Sequence, residues 1–296
     1  MKKFRDNPVS HFIAINYHGF HNANVALDCL NSVLLSTKGM SGHIKIIFFN
    51  HSGRPAPTEL ARSLSKLNVT QMELPNNSNG ENLNRQIAQA KGFNFFYRVD
   101  ADDLVSQGRF KWQADLLSQS NCDICGGGLI YHNIKTGKEF QVIPATQPKT
   151  VSYLFNQYFM HPTLAFKLES FAFNNLHYGI RRLEDKDLAL SAYKAGLTII
   201  NDQRIYGTYN LNPNARNDNI FAHRNHELNI AFIHATHSFW ALPLAYALFA
   251  ASLLISYNNL RKIREILTPA STHVSTSSSE SSCENVKAEK VRQPMP

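Results

Sequence analysis

The stretch NFFYRVDADDL, residues 94–104, runs from a cluster of aromatics into three acids, Asp100, Asp102 and Asp103, within four positions. Its first half, rich in strand-forming residues, reads as a buried strand, and the acids stand at its carboxyl end. Like charges this close repel, so water, basic side chains or a bound cation must hold them. A solvated acidic turn is the plain alternative, because Asp is a common turn residue.

The segments upstream give the strand its context. HFIAINY (11–17) and HIKIIFFN (43–50) read as strands, as does VTQMEL (69–74). Between them, NANVALDCLNSVLLS (22–36) has helical spacing, with Val25, Leu27, Leu30, Val33 and Leu34 on one broad face. TELARSLSKL follows the turn HSGRPAP as a second helix, with Thr58 as its N-cap. LNRQIAQAKG is a third, closed by Gly92. Strands alternating with helices across short turns predict a mostly parallel sheet, doubly wound. Such sheets bind ligands at the carboxyl ends of their strands. Those ends are Asn16-Tyr17-His18, Asn50-His51-Ser52 and the acids from Asp100.

Downstream, FKWQADLLSQS (110–120) reads as a helix and CDICGGGLIYHN as a strand whose glycines permit close backbone approach. Trp112 reads as core rather than as a platform for a sugar ring. MHPTLAFKL (160–168) is a further short strand. LEDKDLALSAYKAGL (183–197) is an amphipathic helix with Leu188, Ala192 and Ala195 inward. Its first turn carries Glu184, Asp185 and Asp187, where acids complement the helix dipole.

The 296-residue chain has a hydrophobic content of 43% and a net charge of +8, which suggests an anionic partner: nucleic acid, a phosphorylated ligand or a membrane face. Its four cysteines lack the spacing of a disulfide framework, and the lone Cys122-x-x-Cys125 lacks the second pair that a zinc site needs. The N-terminus has too short an apolar run for a signal peptide. Residues 239–257, FWALPLAYALFAASLLISY, form a charge-free run of spanning length, followed by a basic amphipathic helix through 267. Spanning would put the N-terminal part outside by the charge rule, so the run reads as an in-plane or re-entrant helix, a buried helix or a dimer contact. The Ser/Thr-rich tail reads as disordered.

Two acidic sets about 80 residues apart suggest a division of labour. A strand-end Asp-x-Asp can give a hard cation two carboxylates and leave positions for phosphates. A carboxylate at a helix start can act as general base toward a hydroxyl. Together they suit transfer of a group from a nucleoside diphosphate to an alcohol.

Five stretches in order, INYHG (15–19), NGENLNRQIAQAKGFNFFYRVDADDL (79–104), GRFKWQADLLSQSNCDICGGGLIYH, MHPTLAFK and LEDKDLALSAYKAGLTI, resemble the family 2 glycosyltransferases over roughly residues 10–212. The resemblance implies an α/β, Rossmann-like GT-A fold, mostly parallel sheet flanked by helices, with a C-terminal hydrophobic and amphipathic helical extension. Its divisions are a GT-A domain at 1–225, the hydrophobic and basic helices at 226–268 and the tail at 269–296. It implies an inverting, metal-assisted glycosyltransferase of the hexosyltransferase type, acting in polysaccharide biosynthesis. Asp185 is then the base, and Asp102, with Asp100, the ligand of Mn2+ or Mg2+. Asn16, Tyr17, Asn50, Arg85, Asp100 and Ala101 bind the donor, a UDP-sugar by default; Glu184 and His161 bind a glycan or lipid-linked acceptor. No nucleic acid partner is implied. The expected place is the cytoplasm, peripheral on the inner face of the membrane where an anionic surface is a partner. Two departures stand out. Phe49 and Asn50-His51-Ser52 occupy the strand end where relatives carry a base-reading Asp, which leaves the nucleobase open. Asn212 stands where many relatives have a His.

Overall fold

The computed structural model describes residues 8–19, 22–75, 77–146, 159–179 and 184–211, together with Pro243. Its first half is the expected alternation. Strand β1 (Ser10–Tyr17) leads to helix α1 (Ala23–Ser36), β2 (His43–Asn50), α2 (Thr58–Lys66), β3 (Thr70–Glu73), α3 (Asn79–Gln89) and β4 (Phe95–Asp100). The second half adds β5 (Leu104–Val105), α4 (Arg109–Leu117), β6 (Ile124–Asn133) and β7 (Glu139–Val142). A 3-10 turn (His161–Thr163), β8 (Ala165–Lys167), α5 (Leu168–Phe173), α6 (Glu184–Lys194) and β9 (Ile199–Leu211) complete it.

The strands form one sheet in the order β3-β2-β1-β4-β8-β6-β9-β5, with β7 paired to β6. β1 to β4 are mutually parallel, and β6 runs parallel to β9. β8 is antiparallel to both β4 and β6, and β5 to β9. Four of the eight pairings are parallel, and these hold most of the paired residues, as the alternation predicted.

Period-two alternation sends each strand's side chains into two cores. Phe12, Ala14 and Phe96 pack under α3, α5 and α6, together with Phe166 and Phe171. Ile13, Ile15 and Tyr97 face α1, α2 and α4, with Leu30, Leu60 and Phe110. Near-continuous apolar runs such as HFIAINY are what a strand covered on both faces requires.

Local chemistry fixes the helix that leads into β4. Ser78 caps α3, accepting from the Glu81 amide while the Glu81 carboxylate returns to the Ser78 backbone. Gly92 closes the turn after the helix at φ +92°. In α1, Leu30 and Val33 are buried as expected. The centre of its face is Ala26 and Cys29, while Val25, Leu27 and Leu34 are half-buried at its margins.

Several details differ from the sequence reading. Thr58 begins α2 rather than capping it, and Pro57 takes the cap position with no side-chain bond. Ala195 lies past the last residue of α6 and is exposed, because the helix ends at Lys194 before Gly196 turns the chain at φ +73°. Trp112 is half-buried, stacked on Tyr206 at 6.1 Å with the Arg204 guanidinium 4.7 Å from its ring. Residues 160–164 turn before the strand, which is confined to Ala165–Lys167.

The glycines of β6 do allow close approach. A Cβ on Gly127 would lie 2.4 Å from the Tyr206 ring, and Tyr206 is fully buried. Gly127→Ala is therefore expected to destabilise the fold by about 1–3 kcal/mol, read as a lower midpoint in urea at unchanged slope. A midpoint equal to the parent's would mean that β9 yields freely.

Candidate active site

Sheet register gathers the predicted strand ends. Asn16 lies opposite Asp100 across β1 and β4, and Tyr17 opposite Asn50 across β1 and β2. The acidic turn follows directly, and it is held from several sides. The buried Ala101 amide donates to the Asn16 carbonyl at 2.8 Å, and the Asp103 amide to the Asp100 carbonyl at 3.1 Å. From α1, the Cys29 thiol donates to the Asp100 carbonyl at 3.3 Å. From β9, the Asn210 side chain donates to the Asp102 carbonyl at 2.6 Å and its amide to Asp103 Oδ1 at 3.3 Å.

A basic side chain also meets the acids. Arg98 Nη2 pairs with Asp100 Oδ1 at 2.7 Å, and the Arg98 side chain is only 5% exposed. Burial works against its charge, but Asp100, then Tyr178 and Glu184, outweigh it and hold the guanidinium above its ordinary value. A second arginine, Arg109 at the head of α4, is spent on structure. It donates to the carbonyls of Arg98 and Pro162 and to the Gln113 side chain, and burial lowers its pKa to about 10. The acids are thus not a solvated turn. Asp103 is buried, and burial, followed by Asp100 and Asp102, pushes its carboxyl well above the usual range.

Beside this turn lies a buried polar layer on the α3 face of the sheet. Gln86 Nε2 donates to Asn16 Oδ1 at 2.5 Å and lies 3.0 Å from His51 Nε2. Burial first, then His18 and Arg98, lowers the His51 pKa to about 3, so its ring is neutral. His18 stacks on it at 5.1 Å. The Asn16 amide nitrogen donates to the Val99 carbonyl, and Asn50 binds the Arg54 carbonyl and the Ser52 amide. The side chains of Asn16 and Asn50 are therefore engaged in fixing their own strand ends. Arg85 lies on the exposed side of α3, while its neighbour Gln86 enters the layer. A cavity of about 430 Å³ opens at the ends of β2 and β3, lined by Gly53, Arg54, Pro55, Glu73, Leu74 and Pro75.

The second acidic set approaches from α6. Asn79, the first residue of α3, donates to Glu184 Oε1 and ties the two helix starts together. Burial raises the Glu184 carboxyl against the hydrogen bonds that lower it. Asp185 and Asp187 are half-buried in the same turn. The Tyr178 hydroxyl responds to both sets: burial raises it most, Arg98 opposes, and Glu184, Asp185 and Asp100 add to the rise. His161 Nε2 lies 3.3 Å from that hydroxyl, and burial, then Arg98, keeps the imidazole neutral. Arg98 and Tyr178 thus lie within electrostatic reach of both acidic sets.

Among the described residues, no three His, Cys, Asp or Glu side chains are arranged to hold a metal ion. The donor set nevertheless fits a nucleotide-borne cation, which needs only one or two carboxylates beside its phosphate oxygens. Asp103 Oδ2 is buried with no hydrogen-bond partner among the described residues, and a cation would relieve the mutual repulsion of the three acids. The three described cysteines are buried thiols, Cys122 and Cys125 among them.

Sequence reasoning missed Arg98, Tyr178, Asn79, Gln86 and Asn210, and placed His51 at a ligand-binding strand end without giving it a role. One signal was available: Arg98 and Asp100 share a face by period two in a strand otherwise apolar, so a charged residue had to point inward. The long strand β9, which brings Asn210 to the turn, has no comparable mark. Asn212 and, apart from Pro243, the run 239–257 lie outside the described residues. Among the described residues, no helix is long and apolar enough to cross a membrane.

No curated protein matches the chain in sequence. Solved structures match its fold. S. aureus TarS 1–349 in complex with UDP-GlcNAc is 15% identical with a TM-score of 0.56, over 77% of this chain and 66% of that one. A longer S. aureus TarS structure is 16% identical with a TM-score of 0.58, over 85% of this chain and 44% of that one. The chain thus spans less than two thirds of the TarS sequences it matches. The mannosyltransferase PcManGT from Pyrobaculum calidifontis, in complex with GDP-Man and Mn2+, is 12% identical with a TM-score of 0.51, over 89% of this chain and 81% of that one. The shared architecture is the GT-A fold. The family model for glycosyl transferase family 2 matches residues 15–178, more than half the chain and inclusive of the acidic turn, Arg98 and Tyr178. The chain belongs to glycosyl transferase family 2.

Proposed function

We propose that the protein is an inverting glycosyltransferase that moves a hexose from a nucleoside diphosphate to a hydroxyl of a glycan or lipid-linked acceptor, with a divalent cation. What supports this reading is the Arg98–Asp100 pair at the acidic turn, with Arg98 and Tyr178 within electrostatic reach of both acidic sets. Nucleotide sugars bound to structures of the same fold, UDP-GlcNAc on TarS and GDP-Man with Mn2+ on PcManGT, support the donor class.

Asp185 accepts the proton of the acceptor hydroxyl as its oxygen attacks the anomeric carbon. The bond from that carbon to the diphosphate breaks on the opposite side, and the leaving group departs with the electron pair. One displacement inverts the centre, so no enzyme nucleophile is needed. Asp102 holds Mn2+ or Mg2+, which when bound neutralises charge developing on the diphosphate. The rest of the site positions the reactants. With Asn50 turned to its own loop, the nucleobase meets neutral groups around His51 and the cavity beside Arg54 and Glu73. The catalytic unit is residues 1–225; the segment 226–268 adjoins the inner face of the membrane, where nucleotide sugars and lipid-linked acceptors meet.

The test is release of UDP or GDP from a panel of nucleotide hexoses. Release that requires Mn2+ or Mg2+ is expected. Binding of a donor without turnover under any acceptor condition would instead indicate a silent sugar-nucleotide-binding protein.

A further inference from the structure

Tyr178 is buried, yet residues 176–179 form neither helix nor strand, so its backbone must find partners elsewhere. Asn84 of α3, 94 residues away in sequence, supplies both. Its Nδ2 donates to the Tyr178 carbonyl at 2.8 Å, and its Oδ1 accepts from the Tyr178 amide at 2.8 Å. One planar amide thus grips that residue as a neighbouring strand would. The next residue continues the connection. The Gly179 amide donates to Asp187 Oδ2 at 3.3 Å, and a Cβ at Gly179 would lie 2.9 Å from that oxygen. Asn79, at the start of the same helix α3, donates to Glu184.

Helix α3 therefore holds the first turn of α6 at two points, at Glu184 directly and at Asp187 through Tyr178 and Gly179. Between these acids in sequence stands Asp185, whose carboxylate has no hydrogen bond among the described residues. We propose that Asn84 is a positioning residue for Asp185. It fixes Tyr178 and Gly179, these fix the turn, and the turn presents its unengaged carboxylate to the acceptor hydroxyl. Asn84 itself touches neither donor nor acceptor in this scheme. The inference rests on the reading of Asp185 as the base and adds the residue that keeps the base in place.

The test is release of UDP or GDP from the panel of nucleotide hexoses, with Mn2+ and with octyl glucoside as the hydroxyl, beside donor affinity by calorimetry. Asn84→Ala is expected to lower kcat about 10²-fold and to leave donor affinity within about twofold of the parent. In the Asp185→Asn protein the same substitution is expected to cost less than about twofold more, because it acts through a carboxylate already lost. A merely structural asparagine would lower the remaining activity of that protein as well. At the other end of the connection, Asp187→Ala is expected to lose activity, and Asp187→Asn, whose Oδ1 still accepts from Gly179, to recover most of it. Parental turnover by Asn84→Ala, a matching loss of donor affinity, or an undiminished further loss beside Asp185→Asn overturns the proposal. Should Asn84→Ala fail to fold, the two Asp187 variants decide, and equal losses by both overturn it. Parental turnover by Asp185→Asn would instead sink the base reading, and no turnover of any donor by the parent protein would sink the proposed activity, each taking the inference with it.

Discussion

Asp185→Asn is expected to lower sugar transfer by about 10²–10⁴-fold while leaving nucleotide-sugar binding within about twofold of the parent. The carboxylate sits half-buried in the first turn of α6, next to Glu184, whose bond from Asn79 anchors that turn to α3. An asparagine has the same shape and can still accept a hydrogen bond at a helix start. Folding and donor binding should therefore survive, and proton acceptance should not. Transfer measured with the acceptor in excess, beside donor affinity by calorimetry, separates the two. A variant that transfers sugar at the parental rate would leave Asp185 with only the dipole-complementing role of any acid at a helix start.

Asp102→Ala is expected to reduce metal-dependent release of nucleoside diphosphate by about 10³-fold, the scale of a lost contact to the leaving group's cation. The turn should keep its shape, because what Asn210 grips is the Asp102 carbonyl, not its carboxylate. The same variant should lose the tightening of nucleotide by Mn2+. Unchanged Mn2+ dependence would move the metal to other ligands.

Much of this arrangement was legible in the residues. Buried parallel strands announce themselves as unbroken apolar runs, and β1, β2 and β4 were each bounded within a residue or two. Their carboxyl ends could be named for the same reason, and register brings Asn16, Tyr17, Asn50 and Asp100 side by side. The assignment of side chains at those ends was less legible. Asn16 and Asn50 carry the right chemistry for a ligand, yet Asn16 binds across to the Val99 carbonyl of β4 and Asn50 closes its own loop, choices set by backbone geometry that composition does not encode. β5, β7 and β9 were missed because short or irregular strands depend on tertiary pairing; β9 follows β6 through register shifts around Gly126 and Gly128. The acids' partners were hidden for a related reason. Tyr178 and Glu184 act on Arg98 electrostatically from about 80 residues away in sequence, and only the fold brings them near it.

The decisive measurement is a structure of the protein with Mn2+ and UDP or GDP bound. The metal should touch the Asp102 carboxylate and the diphosphate, beyond the carboxyl ends of β1 and β4, with the Asp185 carboxylate facing it across a gap the size of one hexose. A metal seated away from Asp102, or an Asp185 carboxylate turned out of that gap, would contradict the assignment of one shared cleft to the two acidic sets.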